Sequence, residues 1–307
     1  MKGLVIKSTG SWYEVRTEKG EVFQARLRGK FKINEVKVTN PVAVGDWVIV
    51  EEKHAGEEYY VITEVLDRKN YVIRKSPKKT AFAHIIAANI DLLVIIATFK
   101  KPRTSLGFID RLLVTAESYR IPCLIVFNKE DLLSESDWEI LDEIRAMYEY
   151  IGYPSVLISA ETRKNIEGLE QELEGKVALF SGHSGTGKST LINLLVPEAN
   201  QRTTEISGFA NKGVHTTTFA EMFVGTGNGY IIDTPGIKEL GLIEIEEEEL
   251  SHFFPEMRAL LGKCKFHNCK HVGEPGCAIK EAVESGEVPP DRYNSYISML
   301  EDHDNRR

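Results

Sequence analysis

Five short and almost uninterrupted apolar runs in the middle of the chain limit the folds open to it. They are DLLVIIAT (91–98), PCLIVFN (122–128), SVLIS (155–159), VALFSG (177–182) and YIIDTPG (230–236). Runs of this kind are typical of strands that are covered on both faces in a largely parallel sheet. We therefore expect an α/β domain with helices on both faces of the sheet. An additional strand at FAEMFV (219–224) is expected to pair with the last run.

Amphipathic stretches between these runs are expected to form the helices. FIDRLLVTAESYR (108–120) repeats apolar residues at intervals of three and four, as a helix with one buried face does. SESDWEILDEIRAMYEYIG (134–152) begins with a capping serine, either Ser134 or Ser136, and ends at Gly152. A last helix is expected around DRYNSYISMLEDH (291–303), after an acidic helix start at EIEEEEL (244–250).

The first 65 residues read as five short strands without helical periodicity. These are GLVIKS, WYEVRT, EVFQARLRG, GDWVIVEE and YYVITEVL, separated by turn residues. The pattern predicts a small all-β barrel. An OB-fold barrel, which binds oligonucleotides on one face, fits five strands, and an SH3-like barrel fits nearly as well. The connector that follows (66–90) contains a basic stretch, and its sequence indicates no secondary structure.

Charge is unevenly distributed along the 307 residues. Residues 1–80 carry 16 Lys and Arg against 11 Asp and Glu, whereas the rest of the chain carries 22 against 35. A basic first segment on an acidic chain favours an anionic partner, although a solvated surface explains the same bias. Because the sequence has neither a transmembrane run nor a signal peptide, we expect a cytoplasmic protein without a membrane partner.

The end of the fourth apolar run matches the phosphate-binding motif G-x-x-x-x-G-K-S at every position. Its glycines let backbone N–H groups surround phosphate oxygens, and the helix that follows adds partial positive charge. We expect Lys188 to reach the β- and γ-phosphates and Ser189 to bind Mg²⁺. The predicted phosphate-binding residues are Gly182, His183, Ser184, Gly185, Thr186, Gly187, Lys188, Ser189 and Thr190.

Two later segments are candidates for the rest of the phosphate site. Asp233 lies in DTPG at the end of the fifth run, a position from which a carboxylate holds Mg²⁺ through water, and Gly236 can offer its N–H to the γ-phosphate. NKGVHTTT (211–218) offers Thr217 or Thr216 as a further magnesium ligand, in a segment that is expected to order with the γ-phosphate, and the sequence does not decide between the two.

A guanine-reading pair of loops is predicted upstream of the phosphate loop. N-K-x-D is the guanine-reading tetrad of GTPases, and here it ends the second apolar run. Asp131 is expected to accept the N1–H and the exocyclic amine of guanine, a pattern that adenine lacks. Asn128 would brace the loop, the Lys129 stem would pack on the base, and a backbone N–H of the second loop would meet the base oxygen. The predicted base-site residues are Asn128, Lys129, Glu130, Asp131, Ser159 and Ala160.

These pieces stand in an unusual order, because the base-reading motifs precede the phosphate-binding ones. An ordinary GTPase runs the other way, so the chain is predicted to be a circularly permuted P-loop GTPase. Permutation is tolerable because the sheet fixes the strand ends whatever the order of connection. It also leads from DTPG directly into the C-terminal segment, and we hypothesise that the nucleotide state moves that segment.

The sequence leaves the catalytic residue unassigned. Ile237 follows Gly236 at the place where many GTPases carry a glutamine that orients water, and an isoleucine cannot do so. Intrinsic hydrolysis is therefore expected to be slow, with a partner or another side chain positioning the water. His183 and His215 are the nearest candidates, although a loop role without catalysis is the simpler interpretation of each.

A cluster of cysteines near the C-terminus predicts one structural zinc ion. Cys264, Cys269, His271 and Cys277 provide three thiolates and one imidazole, which complete a tetrahedral Zn²⁺ site. The surrounding segment is too short to bury a core and would depend on the metal to fold. His267 is a competing ligand, and reduced cysteines without metal are the alternative.

The combination of these motifs in permuted order resembles the RsgA family of ribosome small subunit-dependent GTPases over essentially the whole chain. The resemblance implies an OB-fold RNA-binding domain at 1–70, a permuted G domain at 71–240 and a small helical zinc-binding domain at 241–307. It also implies hydrolysis of GTP to GDP and phosphate with Mg²⁺, stimulated by the 30S subunit and its 16S rRNA, late in maturation of that subunit. A monomer is expected.

Two other classes of function remain open at this stage. One is a GTPase that serves another client, such as tRNA modification or membrane trafficking. The other is a passive RNA-binding protein that only retains a phosphate loop. GTP hydrolysis measured with and without small subunits separates all three classes.

Overall fold

A computed structural model describes residues 1–28, 40–51, 59–75, 83–197, 199, 220–233 and 245–301. Thr216, Thr217, His215, Gly236 and Ile237 lie outside the described residues, so the expectations that concern them stay predictions. None of the helices in the described ranges is both long and apolar enough to cross a membrane.

Five strands at the N-terminus form a closed barrel. They are β1 (Lys2–Ser8), β2 (Tyr13–Thr17), β3 (Val22–Leu27), β4 (Trp47–Glu51) and β5 (Tyr60–Val65). Their order is β1-β2-β3-β5-β4, and β4 pairs back onto β1, while β3 and β5 run parallel. Alternate residues such as Val5, Val15, Val48 and Ile62 fill the interior and are fully buried. The OB-like barrel is thus confirmed over the SH3-like alternative.

A β-hairpin follows the barrel where the sequence indicated no secondary structure. Its strands are β6 (Tyr71–Lys75) and β7 (Ala83–Ala88). The hairpin lies against the barrel, because Ala87 forms a bridge with Val44 and a side chain at Gly45 would collide with the Ala88 carbonyl. The basic residues of the connector interrupt the apolar pattern, so the sequence alone did not indicate two strands. The hairpin is explained by its contact with the barrel.

The central domain is the expected α/β sheet. Its strands are β8 (Leu92–Thr98), β9 (Cys123–Asn128), β10 (Ser155–Leu157), β11 (Val177–Gly182), β12 (Glu221–Val224) and β13 (Tyr230–Asp233). The order is β10-β9-β8-β11-β13-β12, and β12 pairs antiparallel with both β13 and β1 of the barrel, whereas the other pairings of this domain are parallel. All residues of β8 and β9 are buried, as their apolar sequences predict.

Within the described ranges, four helices cover the two faces of this sheet. They are α1 (Leu106–Ser118), α2 (Glu135–Ile151), α3 (Ile166–Leu173) and α4 (Lys188–Leu195). Separate apolar clusters fill the two faces, one reaching α1 and α2 and the other α3 and α4. The start of α2 settles the choice between the two serines, because Ser134 and Asp137 form a capping box.

Short helices build the C-terminal module. A 3-10 helix (Glu247–Phe253) is followed by α5 (Pro255–Arg258), α6 (Ala278–Ser285) and α7 (Pro290–Glu301). The sequence predicted α7 and a helical start in the acidic stretch, but α6 was not anticipated. Val114 of α1 belongs to the apolar core of this module, so the module packs directly on the central domain.

Candidate nucleotide site and metal centre

The phosphate loop joins β11 to α4 in a conformation that requires its glycines. A side chain at Gly182 would place its Cβ 2.7 Å from the Ile96 carbonyl oxygen. Gly187 has a φ of +89°, and a Cβ there would lie 2.3 Å from Asn128 Nδ2. Because both positions are blocked by backbone or by a side chain of the neighbouring loop, the motif spacing is a geometric requirement of this turn.

Inside the loop, Thr186 is fully buried, and its amide and hydroxyl both donate to the His183 carbonyl, at 3.3 and 2.9 Å. Ser184, Gly185 and Ser189 are exposed on the side where the loop opens. The loop therefore holds its own shape from within and leaves its outer backbone accessible, which suits the binding of phosphate oxygens.

Lys188, the first residue of α4, faces Asp233, the last residue of β13. β11 and β13 run parallel with Phe180 opposite Asp233, which brings the end of β13 beside the phosphate loop. The Lys188 ammonium contacts the Asp233 carboxylate, and both side chains are only partly exposed. When Mg²⁺ and a phosphate chain are bound, the ammonium would meet the phosphates and the carboxylate would meet the metal.

Asn128 connects three loops of the site through one amide side chain. Its Nδ2 donates to the Thr186 carbonyl of the phosphate loop at 2.9 Å. Its Oδ1 accepts the Lys129 amide at 2.8 Å and the Ala160 amide at 3.0 Å. Asn128 thus braces the base-reading loop against the phosphate loop and against the loop after β10.

Lys129 reaches from the base-reading loop to the phosphate loop. Its backbone is left-handed, with a φ of +68°, and its Nζ donates to the Gly185 carbonyl at 2.6 Å and contacts the Lys101 carbonyl. The Lys129 side chain thus spans the space between the base-reading loop and the phosphate loop.

Asp131 is exposed at the mouth of the site, whereas its neighbour Glu130 is buried. The Ser159 hydroxyl donates to Asp131 Oδ1 at 2.5 Å and so fixes the orientation of the carboxylate. Glu130 is instead paired with Lys164 beneath the loop. Only the second carboxylate of the tetrad is thus placed to meet a ligand, and Glu130 serves the loop itself.

His183, a candidate for catalysis, packs its ring on Phe108 of α1 with ring centroids 3.6 Å apart and planes at 27°.

The loop after β8 was not predicted as part of the site. Its Lys101 carbonyl accepts the Lys129 ammonium, and its Pro102 lies so close to the phosphate loop that a Cβ at Gly185 would be 3.2 Å away. A signal was available, because β8 lies between β9 and β11 and its carboxyl end must therefore emerge in the site.

The predicted zinc ligands converge at the C-terminus. The ligand atoms of Cys264, Cys269, His271 and Cys277 all lie within 4.8 Å of one another, and His267 is not part of this group. His271 Nδ1 lies 3.5 Å from the sulfur atoms of Cys264 and Cys277. Ligand atoms on a tetrahedral Zn²⁺ are separated by roughly 3.3–3.8 Å, so this donor set fits the metal.

The surroundings of the cluster suit metal binding. Burial lowers the pKa of His271, which keeps the imidazole neutral and able to ligate. Burial and the neighbouring thiols raise the pKa of Cys269 to about 12, so a thiolate there needs a cation. Glu274 accepts the amides of Lys270 and Val272, at 2.7 and 3.0 Å, and closes the turn that carries His271.

Comparison with known proteins identifies the family. Residues 65–243 match the RsgA GTPase family, and residues 2–60 match the RsgA N-terminal domain. The chain is 50% identical over 302 residues to the small ribosomal subunit biogenesis GTPase RsgA of Bacteroides fragilis, covering 98% of this chain and 97% of that protein.

Two crystal structures share the fold over the full length. One is YjeQ from Thermotoga maritima, with a TM-score of 0.78, 35% identity and coverage of 100% of this chain and 99% of that one. The other is YloQ, described as a circularly permuted GTPase, with a TM-score of 0.76, 29% identity and coverage of 100% and 96%. On the matched domains and the full-length similarity, the chain belongs to the RsgA GTPase family and is a circularly permuted GTP hydrolase.

Proposed function

We propose that this protein hydrolyses GTP to GDP and phosphate on the small ribosomal subunit, during the late maturation of that subunit. One observation carries the proposal: the loops that follow β9, β10 and β11 and the last residue of β13 contact one another at the same edge of the sheet. The Bacteroides fragilis relative is named for small ribosomal subunit biogenesis. We expect a cytoplasmic location. We also expect a monomer, which light scattering of the purified protein tests.

The site residues are assigned roles from their contacts. Asp131, oriented by Ser159, reads the guanine edge. Asn128 and Lys129 hold the base-reading loop against the phosphate loop. The exposed backbone from Gly182 onward surrounds the phosphates, and Lys188 moves from Asp233 to the β- and γ-phosphates when the nucleotide binds.

A magnesium ion, when bound, supplies positive charge against the β- and γ-phosphates. In our proposal Ser189 and Asp233 hold it, and Thr217, outside the described residues, completes the set. Asp233 is freed for this role by the same movement that sends Lys188 to the phosphates. The water that attacks is positioned by the ribosomal partner, because Ile237 offers no polar group for this purpose.

We further propose that the barrel touches ribosomal RNA through an arginine that packs against two aromatic rings, which themselves meet edge to face. Trp12 lies in the loop between β1 and β2, Tyr59 at the end of the loop before β5, and Arg26 on β3. The Arg26 guanidinium lies 3.6 Å from the Trp12 ring centroid and 4.9 Å from that of Tyr59. Strands 2 and 3 and these two loops form the ligand face of OB-folds.

This group, the Trp12–Arg26–Tyr59 cluster, matches the chemistry of unpaired nucleobases. Aromatic rings and guanidinium planes stack on exposed bases, and a basic groove follows the phosphate backbone. Trp12 is 36% exposed, so part of its ring surface is open to a ligand. Trp12→Ala should weaken subunit binding by about 1–3 kcal/mol, with the steep salt dependence of phosphate contacts retained. Unchanged affinity would exclude the cluster from the RNA contact.

GTP hydrolysis measured with and without purified small subunits tests the main proposal. Stimulation by small subunits, absent with large subunits, is the expected result. Slow hydrolysis that small subunits do not change would indicate a different client. If the chain binds guanine nucleotides but hydrolyses none under either condition, it acts as a binding protein.

A further inference from the structure

A completely buried arginine joins the central domain to the C-terminal module. Arg292 of α7 has no exposed surface and donates to Asp110 of α1 and to Glu256 of α5, both at 2.7 Å. Tyr148 of α2 donates to the same Asp110 oxygen at 2.9 Å. Because a buried charge without its partner is strongly unfavourable, this group, the Arg292 cluster, fixes how α7 lies on α1.

On one side of the Arg292 cluster, α1 reaches the phosphate loop. Phe108 stands two residues before Asp110 and stacks on His183, with ring centroids 3.6 Å apart. The loop that leads into α1 also lies under the phosphate loop, since a Cβ at Gly185 would be 3.2 Å from Pro102. A shift of the phosphate loop against α1 must therefore change contacts made by the same helical turn that carries Asp110.

On the other side, α7 holds the metal-binding segment by its backbone. Tyr293, directly after Arg292, donates to the His271 carbonyl at 2.7 Å. Tyr296 donates to the Lys270 carbonyl at 2.8 Å. His271 is itself one of the four predicted ligands, so the position of α7 bears directly on the geometry of the metal cluster.

We propose that α1 and α7 couple the phosphate loop to the zinc cluster, through the Phe108–His183 stack and the Arg292 cluster. Binding of a guanine nucleotide and retention of zinc then affect each other, because a coupling between two sites is reciprocal. This connection does not use the chain segment after DTPG. All of its residues are among those that the structure describes. The proposal rests on the proposed nucleotide site and adds that the affinity of this site depends on whether zinc is bound.

The first experiment measures the equilibrium zinc affinity of the full-length protein by competition with a chromogenic chelator, with and without saturating GDP. We expect GDP to raise the zinc affinity by about 5-fold or more. In Phe108→Leu, which keeps an apolar side chain but removes the ring, the GDP effect should disappear. Equal zinc affinities with and without GDP in the wild type would overturn the proposal.

The second experiment measures GDP affinity in Phe108→Leu, in Arg292→Met and in the double variant. Each single change should weaken GDP by about 2- to 30-fold, and the double variant should be no weaker than the worse single one. Fully additive losses would refute a shared connection. If Arg292→Met does not fold, Tyr293→Phe takes its place, because it removes only the hydroxyl that holds the His271 carbonyl.

Arg68→Met is the matched control. Arg68 donates to the buried Asp46 carboxylate at 2.7 Å, but this pair lies in the barrel and away from α1 and α7. GDP affinity should stay at the wild-type value, and a loss equal to that of Arg292→Met would indicate general destabilisation instead of coupling. A wild type that binds no GDP would refute the nucleotide site itself, whereas tight GDP binding without an effect on zinc refutes only the coupling.

Discussion

Replacing Asp131 by asparagine changes one oxygen of the base-reading carboxylate into an N–H₂ group. Ser159 donates to Asp131 Oδ1 at 2.5 Å. The amide oxygen of Asp131→Asn can keep this bond, which turns the amide N–H₂ towards the base. Guanine presents two donors at that edge, so a donor then meets donors. Xanthine carries a carbonyl oxygen where guanine has the amine, and this oxygen accepts the new N–H.

The expected loss for guanine follows from the two hydrogen bonds to a charged carboxylate. Such bonds contribute about 1.5–3 kcal/mol each, so Asp131→Asn should cost about 3–6 kcal/mol of GDP binding. This corresponds to a rise in Kd of roughly 10²- to 10⁴-fold. Xanthosine diphosphate should bind the variant more tightly than GDP does, which reverses the wild-type preference.

Titration of both nucleotides into the wild type and the variant measures the effect. Glu130→Gln is the matched control, because it makes the same chemical change one residue earlier, at a carboxylate that is buried and paired with Lys164. Glu130→Gln should lower stability and leave the preference for guanine unchanged. If Asp131→Asn keeps the wild-type ratio of GDP to xanthosine diphosphate affinity, the assignment of the base site is refuted.

Three further outcomes follow from the geometry. Gly187→Ala places a Cβ on a left-handed residue, at 2.3 Å from a neighbouring side chain, so it should abolish GDP binding and cost about 1–3 kcal/mol of stability, measured by titration and thermal melting. Cys277→Ser should reduce bound zinc well below one ion per chain by elemental analysis, whereas His267→Ala should keep the ion, since His267 is outside the cluster. Hydrogen bonds from Lys100 and from the capping serine lower the pKa of Asp137 to about 2. Its stabilising effect is therefore present above the unfolded pKa of about 3.9 and is lost as the pH falls towards 2. Asp137→Asn should make the melting temperature less dependent on pH in that window, and an unchanged profile would contradict the assignment.

The strands and the motifs at their ends were predictable because their signals are local. An apolar run such as that of β8 encodes burial on both faces by itself, and a parallel sheet then gathers the strand ends at one edge. Ser134 and Asp137 encode the start of α2 within four residues. Local signals of this kind do not depend on the order in which the chain connects them.

Features that depend on distant partners were not predictable. Nothing near Arg292 in sequence distinguishes it from a solvated arginine, since its partners lie 182 and 36 residues away. The β6–β7 hairpin is likewise explained by its contact with the barrel at Val44. The bond of the Ala160 amide to Asn128 shows the same limit, because it is made across 32 residues.

The three bonds of the Asn128 amide have a consequence for the chain during its own synthesis. Asn128 emerges first, but the Thr186 carbonyl that its Nδ2 requires is made 58 residues later. Until then the base-reading loop lacks the brace that joins it to the phosphate loop. Asp233, which contacts Lys188, is made later still. A nucleotide that uses both halves of the site can therefore bind only after residue 233 of the 307 has been synthesised.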